Sequence, residues 1–298
     1  MIMKRSLLYL AGMLVACTGH MANPSSVSKS LRFSVPVKVT VTGYQQDVME
    51  PFLTKDGAYL FFNNLNDPAV TNTNIYYAAY LNDSAFSYMG EIGNVNSPAL
   101  DAVASMDTSG DFYFISTRSY DQTLSTVYTG SFSGGVVSSP RILPGISDER
   151  PGIVEFDMEV SASGRTIYFS DGRFNGAGVL QSSDLVIAEK DDTGFHQIAG
   201  SSVILQNINT AQLEYAACLS ADELTLYFTR VSSVSGSAGP KIWYATRDAK
   251  TSPFDVARQI TELDGFVEAP TLSADGKMLY YHRKEGNHFA LYFTRVSS

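Results

Sequence analysis

Acidic side chains recur along this chain at intervals of roughly 55 residues, each a few residues before a short turn motif. The set comprises Glu50, Asp101, Asp157 with Glu159, Glu214 and Glu268. Arginines follow the turns at a similar spacing, at Arg118, Arg173, Arg230 and Arg283, with Asn64 at the corresponding place in the first interval. Guanidinium groups pair with carboxylates where the two meet, whereas carboxylates that crowd together without a cation raise one another's pKa.

Three interpretations of this set stay open from the sequence. Arginines of one repeat can pair with carboxylates of another and so satisfy buried charge. The carboxylates can instead form a site for a cation, a sugar or a peptide end. Two of them, such as Glu50 and Glu268, can serve as the base and the acid of a glycosidase.

Other chemistries find little support. His196, His282 and His288 stand apart from any metal-ligand spacing, and the sequence contains no HExxH, GxSxG or glycine-rich phosphate motif. A hard cation such as calcium would accept the carboxylates, yet no loop has the sequential ligand spacing of a calcium site, so no cofactor is expected. The net charge of -9 disfavours binding to nucleic acid.

The acids and arginines must be positioned by a repeat of about 53 residues, which is typical of propellers and solenoids. Its five copies are TKDGAYLFF (54–62), DTSGDFYFI (107–115), SASGRTIYF (161–169), SADELTLYF (220–228) and SADGKMLYY (273–281). Each copy joins a tight turn to an apolar strand, which predicts a β-hairpin. In the fourth copy Asp222 and Glu223 stand where glycine is expected, so this turn is the least regular.

Additional strands before and after each hairpin give four strands per repeat, the pattern of a propeller blade. The sequence therefore predicts an all-β, five-bladed β-propeller of four-stranded antiparallel blades over residues 35–298. The last repeat ends after its third strand, and Lys38–Thr42 is expected to supply the fourth strand and close the ring. Because the hairpin turns share one face, the recurring acids and arginines are expected on the rim of the opposite face.

The repeats resemble the WD-like propeller repeats of TolB-type periplasmic proteins. The resemblance is carried by YFSDGRFNGAG with SDLVIAEKDDTGF, and by NIYYAAYLNDSAF with SPALDAVASMDTSGDFYF. It implies a propeller and leaves the activity open, because propellers host enzymes, scaffolds and ligand binders. VEAPTLSADG (267–276) and MEPFLTKDG (49–57) also resemble segments that hold the acid and the base of arabinanase-like glycosidases.

The N-terminal residues predict export. Lys4 and Arg5 precede an apolar run that is too short to span a bilayer, and LVAC resembles the lipobox of bacterial lipoproteins. Residues 1–17 are thus interpreted as a signal peptide with a lipidated Cys17, and residues 18–34 as a flexible tether. The alternative is ordinary cleavage near Ala22. Thr18 resembles the sorting signal for the outer membrane, and Cys218 is left without a disulfide partner.

Together these features predict a lipid-anchored propeller on the periplasmic side of the outer membrane or on the cell surface. We expect a monomer that binds an envelope protein or glycan at its acidic rim, without catalysis, and that meets the membrane only through its lipid. The alternative is a glycoside hydrolase of the five-bladed arabinanase-like type.

Overall fold

The computed structural model describes residues 30–65, 72–231 and 239–298. Cys17, the signal peptide and most of the expected tether lie outside these residues. Within them, no helix is long and apolar enough to cross a membrane. The described chain is built from β-strands, with two helices of one turn each.

The elements follow the five sequence repeats, here called units 1 to 5. Three short strands come first: β1 (Arg32–Phe33), β2 (Val37–Lys38) and β3 (Thr40–Thr42). Unit 1 contains β4 (Met49–Leu53), β5 (Tyr59–Asn63), β6 (Ile75–Asn82) and β7 (Ala85–Glu91). Unit 2 contains β8 (Asp101–Met106), β9 (Asp111–Ser116), helix α1 (Tyr120–Thr123), β10 (Val127–Ser133) and β11 (Val136–Ile142).

The remaining units repeat this order. Unit 3 contains β12 (Ile153–Val160), β13 (Thr166–Phe174), β14 (Leu180–Asp191) and β15 (Gly194–Gln197), followed by helix α2 (Ser201–Ile204). Unit 4 contains β16 (Leu213–Leu219), β17 (Thr225–Val231), β18 (Lys241–Thr246) and β19 (Arg258–Gln259). Unit 5 contains β20 (Val267–Leu272), β21 (Met278–Glu285) and β22 (His288–Ser297). Strands within each unit pair antiparallel in chain order.

The turns between the first two strands of the units share one conformation. The amide of Gly57 donates to the Thr54 carbonyl at 2.7 Å, and Gly276 donates to Ser273 at 2.8 Å. In unit 4 the amide of Glu223 makes the same bond to Ser220 at 2.8 Å, with a φ of 59°. The repeat therefore imposes the left-handed turn even where its glycine is missing, at the strain a non-glycine residue incurs there.

The N-terminal strands differ from the expectation. β1 and β2 both pair antiparallel with β22, so Arg32–Phe33, expected in the tether, and Val37–Lys38 extend unit 5. Thr40–Thr42, expected in the same strand as Lys38, instead pairs parallel with β7 of unit 1. The assignment of Lys38–Thr42 to one strand of the last repeat was wrong, because the chain crosses from unit 5 to unit 1 between Lys38 and Thr40.

The core lies between successive units. The first strands contact one another in the cyclic order β4, β8, β12, β16, β20 and back to β4. Five clusters of buried apolar residues fill the spaces between neighbouring units, including one between unit 5 (Tyr280, Phe293) and unit 1 (Leu60, Phe62). Each fully buried large side chain contributes about 1.5–3 kcal/mol, so these interfaces stabilise the arrangement of the units.

Candidate functional site

Every first strand contains a bulge, and this bulge decides where its acids point. The pairing of each first strand with the second shifts register at this point. The bulged residues have a left-handed backbone and are Glu50 (φ 46°), Val103, Asp157 (φ 51°), Ala216 and Ala269. They line a narrow central cavity together with residues of all five first strands. Two of the five bulges thus place a carboxylate in the centre of the molecule.

Five side chains meet where the first strands begin, and we call them the mouth cluster: Glu50, Asp157, Glu268, Tyr215 and His282. The Tyr215 hydroxyl, from unit 4, donates to Oε1 of Glu268 in unit 5. Nε2 of His282 lies 3.0 Å from Oε2 of Glu268, its neighbour across the β20–β21 pairing. Both oxygens of Glu268 therefore accept hydrogen bonds, the arrangement that suits an ionised carboxylate.

The ring of His282 is oriented by a backbone group. The amide of Glu50 donates to Nδ1 of His282 at 3.2 Å, so Nδ1 carries a lone pair and no proton. The ring proton must then be on Nε2, which donates it to Glu268. His282 is buried and is neutral in this arrangement, so it adds no positive charge to the cluster.

The other two acids of the cluster favour protonation. Burial, followed by the charges of Asp157 and Glu268, raises the pKa of Glu50 well above its ordinary value. Burial and then the charge of Glu268 raise the pKa of Asp157 to about 7. No lysine or arginine among the described residues forms an ion pair with these two carboxyls. The cluster must therefore retain protons or gain a cationic or hydrogen-bonding ligand.

A metal ion is a further possibility here, because ligand atoms of Glu50, Glu268 and His282 lie within 4.8 Å of one another. In the tautomer that these hydrogen bonds imply, however, both nitrogens of His282 are already engaged, one as acceptor and one as donor. Ligation through His282 would require the loss of one of these hydrogen bonds. The geometry favours the carboxylates, without the imidazole, as the groups that face a ligand.

Asp101 and Glu214 lie two residues before the bulge and have a different role. Arg118 binds Asp101 at 2.5 Å, and Arg230 binds the fully buried Glu214 at 2.7 Å. Both arginines belong to the same unit as their acid, so the expectation that pairs join different repeats was wrong. A second strand lies beside the first within each unit, and the partner is therefore local. We call Asp101 and Glu214 the arginine-paired acids.

The remaining predicted residues do not join the mouth cluster. Arg283 contacts Glu285 at 3.2 Å and lies over the ring of Tyr292, on the far side of β21. Arg173 is exposed and forms no ion pair with a residue that the structure describes. The predicted rim of converging acids and arginines thus separates into local pairs and a central group of carboxylates.

Glu159 lies deeper and closes the cavity. Its carboxylate binds Lys55 of unit 1 at 2.6 Å, and both groups are mostly buried. Beyond this pair, on the face of the hairpin turns, a pocket of about 520 Å³ is lined by the turns and by both ends of the described chain. The cavity between the pair and the mouth has a volume of only about 30 Å³, enough for no more than about two water molecules.

Sequence reasoning missed two members of the cluster. His282 was set aside for lack of metal-ligand spacing, but it lies directly opposite Glu268 in the hairpin of unit 5, a register that the turn at 273–277 allows one to count. Tyr215 occupies the same repeat position as Glu268, one residue before the bulge, in the neighbouring unit. In the alignment of the turn motifs, Tyr215 and Glu268 both lie five residues before their motif, so the repeat itself already indicated the place of Tyr215.

Comparison of the fold finds solved propeller structures. A glycoside hydrolase superimposes with a TM-score of 0.60 at 10% identity, covering 89% of this chain and 91% of the other. An arabinanase from Bacillus subtilis gives 0.51 at 10% identity, with 85% and 94% covered. TolB from Acinetobacter baumannii gives 0.44 at 16% identity, and the match spans 85% of this chain and 55% of TolB. The chain is an all-β protein with a β-propeller fold, as the first two superpositions show.

These likenesses concern the fold alone, since the sequences share so few residues. No family model and no curated protein matches the sequence. The predicted propeller is thereby confirmed at the level of the fold, and the activity must be argued from the site.

Proposed function

We propose that this chain is an exported, lipid-anchored, five-bladed β-propeller that binds an envelope protein or glycan at the mouth cluster without chemical turnover. The observation that carries the proposal is the group of three carboxylates, Glu50, Asp157 and Glu268, which meet in the centre with no cationic partner among the described residues. Hydroxyl, amide or ammonium donors of a ligand would satisfy these acceptors. A purely structural role is better served by arginine partners, as at Asp101 and Glu214.

Five blades and closure are part of the proposal. The five antiparallel units, the cyclic contacts of their first strands and the pairing of β1 and β2 with β22 support it. The amide of Leu53 in unit 1 also donates to the hydroxyl of Thr271 in unit 5 at 3.1 Å, as expected if the first and last blades are neighbours. A disc closed in this way has no exposed central strand edges.

The topology also predicts an orientation for a lipid on Cys17. β22 runs from the mouth side towards the turn face, and β1 pairs with its last residues, so the chain enters the described domain at the turn face. Leu31 accordingly lines the pocket on that face. The mouth cluster then lies on the face opposite the one where the tether enters, so the tether does not cover it.

The size of the cavity favours binding over hydrolysis, and the spacing of the carboxyl groups argues against one of the two hydrolytic mechanisms, the inverting one. The cavity of about 30 Å³ cannot enclose a sugar ring, because pockets for small molecules usually measure several hundred Å³. Glu50 and Glu268 have oxygens within 4.8 Å of each other on neighbouring first strands. An inverting glycosidase separates its carboxyl groups by about 6.5–9.5 Å to admit a water molecule, so this pair is too close.

Binding can be tested with a panel of peptidoglycan fragments, oligosaccharides and solubilised envelope proteins, measured by calorimetry or pull-down with the full chain. We expect a ligand whose affinity falls about tenfold or more in Glu50→Gln and Asp157→Asn, as loss of a hydrogen bond to a charged group implies. Glu262→Gln, an exposed acid outside the cluster, serves as the matched control and should bind as the wild type does. Equal affinity in all four proteins would refute the site.

The anchor needs its own measurement. Mass spectrometry of the membrane fraction should find a diacylglyceryl group on Cys17 that disappears in Cys17→Ser. Recovery of the wild-type protein as an unmodified soluble species would contradict the anchor while leaving the binding site untouched.

Glycoside hydrolysis is the second candidate, and one observation favours it. Glu50, with its raised pKa, and Glu268, which accepts two hydrogen bonds, occupy environments that suit an acid and an ionised partner. These roles are the reverse of those that the sequence resemblance implies, in which Glu268 is the acid and Glu50 the base. Close carboxyls of this kind match a retaining mechanism, in which they lie about 5–5.5 Å apart. Release of reducing ends from any oligosaccharide of the panel, abolished in both Glu50→Gln and Glu268→Gln, would establish hydrolysis and overturn binding without turnover.

A further inference from the structure

The arginine-paired acids reveal an exception in unit 3. Two residues before the bulge, units 2, 3 and 4 carry Asp101, Glu155 and Glu214. In unit 4 the residue opposite Glu214 on the second strand is Arg230, which neutralises it. In unit 3 the residue opposite Glu155 is Asp171. An acid therefore faces an acid at the position where the neighbouring units place an ion pair.

A third carboxyl extends this row. Asp184 of β14 lies opposite Asp171, so three acids occupy adjacent places across β12, β13 and β14. Residues directly opposite each other in a sheet project from the same face with Cβ atoms about 4.5–5.5 Å apart, where like charges destabilise the pairing. Burial raises the pKa of Glu155, and the charge of Asp171 adds to the effect.

Glu155 and Asp171 each have one buried carboxyl oxygen without a hydrogen-bond partner among the described residues. Glu155 is 1% exposed, and its Oε1 accepts the amide of Asp148 at 2.7 Å. Its Oε2 is buried and has no hydrogen-bond partner among the described residues, and the same holds for Oδ1 of Asp171. Buried acceptors without a donor cost about 1–3 kcal/mol each, and more when charged, so native proteins rarely retain them unless something binds there.

The available arginines do not fill this gap. Arg173 lies two residues beyond Asp171, as Arg118 lies two residues beyond the partner of Asp101, but it is exposed and does not form an ion pair with Glu155. Arg150 is exposed and binds Asp148. Burial raises the pKa of Asp171, and the charges of Arg173 and Arg150 only oppose this rise, because neither donates a hydrogen bond to the buried oxygens.

We propose that Oε2 of Glu155 and Oδ1 of Asp171 bind a hard divalent cation of the calcium class, which takes the place that Arg230 fills in unit 4. Such ions take carboxylate oxygens as ligands and complete their shell with water and carbonyl groups, and Asp184 adds negative charge at the exposed side. The two ligands come from the neighbouring strands β12 and β13, so no contiguous loop of ligands is needed. The site is independent of the mouth cluster and of the function proposed for it.

The test uses calcium titrated into the full chain, followed by calorimetry and by the melting temperature. We expect wild-type protein to bind one ion at this site, and Glu155→Gln and Asp171→Asn each to weaken it at least about tenfold, a loss that even outer-shell partners of metals produce. Asp192→Asn, an exposed acid of the same unit, should bind as wild type. Glu268→Gln should also keep this ion, which separates it from any calcium held at the mouth.

A third variant, Asp171→Arg, keeps the test decisive if Glu155→Gln and Asp171→Asn fold poorly. Asp171→Arg recreates the pair found in unit 4, so we expect it to abolish the calcium response and to melt, without calcium, at or above the temperature of the calcium-loaded wild type. The proposal is overturned if wild-type protein shows no calcium response, or if the response survives in Asp171→Asn and Asp171→Arg. In that case Glu155 and Asp171 share a proton instead of a metal ion.

Discussion

Asp101 and Glu214 each accept hydrogen bonds from an arginine of their own unit, whereas Glu50 and Asp157 face one another across the central cavity. All four are acids near the start of a first strand. The arginine-paired acids precede the bulge by two residues, and the other two occupy the bulge itself. An offset of two residues therefore decides whether an acid meets the second strand of its own unit or the centre of the molecule.

The comparison distinguishes acids whose charge stabilises the fold through an arginine from acids whose charge can be satisfied by a ligand. An acid bound to an arginine contributes to the folded state only as a pair, and removal of either partner leaves a buried charge. An acid that is crowded by other acids contributes little to stability when ionised, and its retention is better explained by a ligand. The two groups should respond to substitution with opposite signs.

The largest effect is expected at the buried arginine. Arg230→Met leaves the fully buried Glu214 without its partner, so the free energy of unfolding should fall by about 3–5 kcal/mol. Chemical denaturation measures this change. Arg283→Met is the control, because Arg283 pairs with the partly exposed Glu285 and should cost no more than about 1 kcal/mol. If both variants lost a similar free energy of unfolding, the buried pair Arg230–Glu214 would be no more important for stability than the partly exposed pair Arg283–Glu285.

A smaller effect of opposite sign is expected at Asp157. Its pKa is about 7 in the folded protein and near 3.9 in the unfolded chain. The protonated form is thus favoured by folding, and its contribution is complete below about pH 4 and is lost as the pH rises through 7. Asp157→Asn should remove the part of this decline that Asp157 contributes, while the part from Glu50 stays, and above pH 7 it should raise the free energy of unfolding by on the order of 1–3 kcal/mol.

Denaturation curves at several pH values between 4 and 8 test whether the free energy of unfolding falls less steeply with pH in Asp157→Asn than in the wild type. Asp192→Asn, at an exposed site, is the matched control and should leave the wild-type pH dependence unchanged. A variant Asp157→Asn that is less stable than wild type at pH 8 would show that the carboxylate has a stabilising partner.

The smallest effect is expected at Tyr215. Tyr215→Phe removes one of the two hydrogen bonds to Glu268 but keeps the ring, so the free energy of unfolding should fall by roughly 1–2 kcal/mol. The remaining donor, Nε2 of His282, should keep its proton, which nitrogen NMR of the imidazole detects. A signal showing a proton on Nδ1 would contradict the hydrogen bond from the Glu50 amide.

The sequence was sufficient to predict the repeat architecture. Turn signals at a regular spacing report local backbone preferences, and five copies in phase leave few alternatives to a propeller. The turn at Glu223 shows that the repeat persists even where one local signal fails. The N-terminal strands were placed less well, because Lys38 and Thr40 are almost adjacent in sequence and pair with different units.

The site was only partly predictable. Glu50, Asp157 and Glu268 were identified from their recurrence, but the sequence could not separate them from Asp101 and Glu214. A bulge shifts the register by one residue without a distinctive residue type, as Val103, Ala216 and Ala269 at the same position illustrate. For the same reason the direct opposition of Glu155 and Asp171 was not foreseen.

The most direct test of the account is to recover a ligand from the wild-type protein and weigh it. A ligand captured from an envelope extract by the full chain, but not by Glu50→Gln or Glu268→Gln, is predicted to elute with its mass unchanged after prolonged incubation. Capture that is independent of both acids, or a ligand cleaved by the wild type alone, would contradict binding without turnover at the mouth cluster.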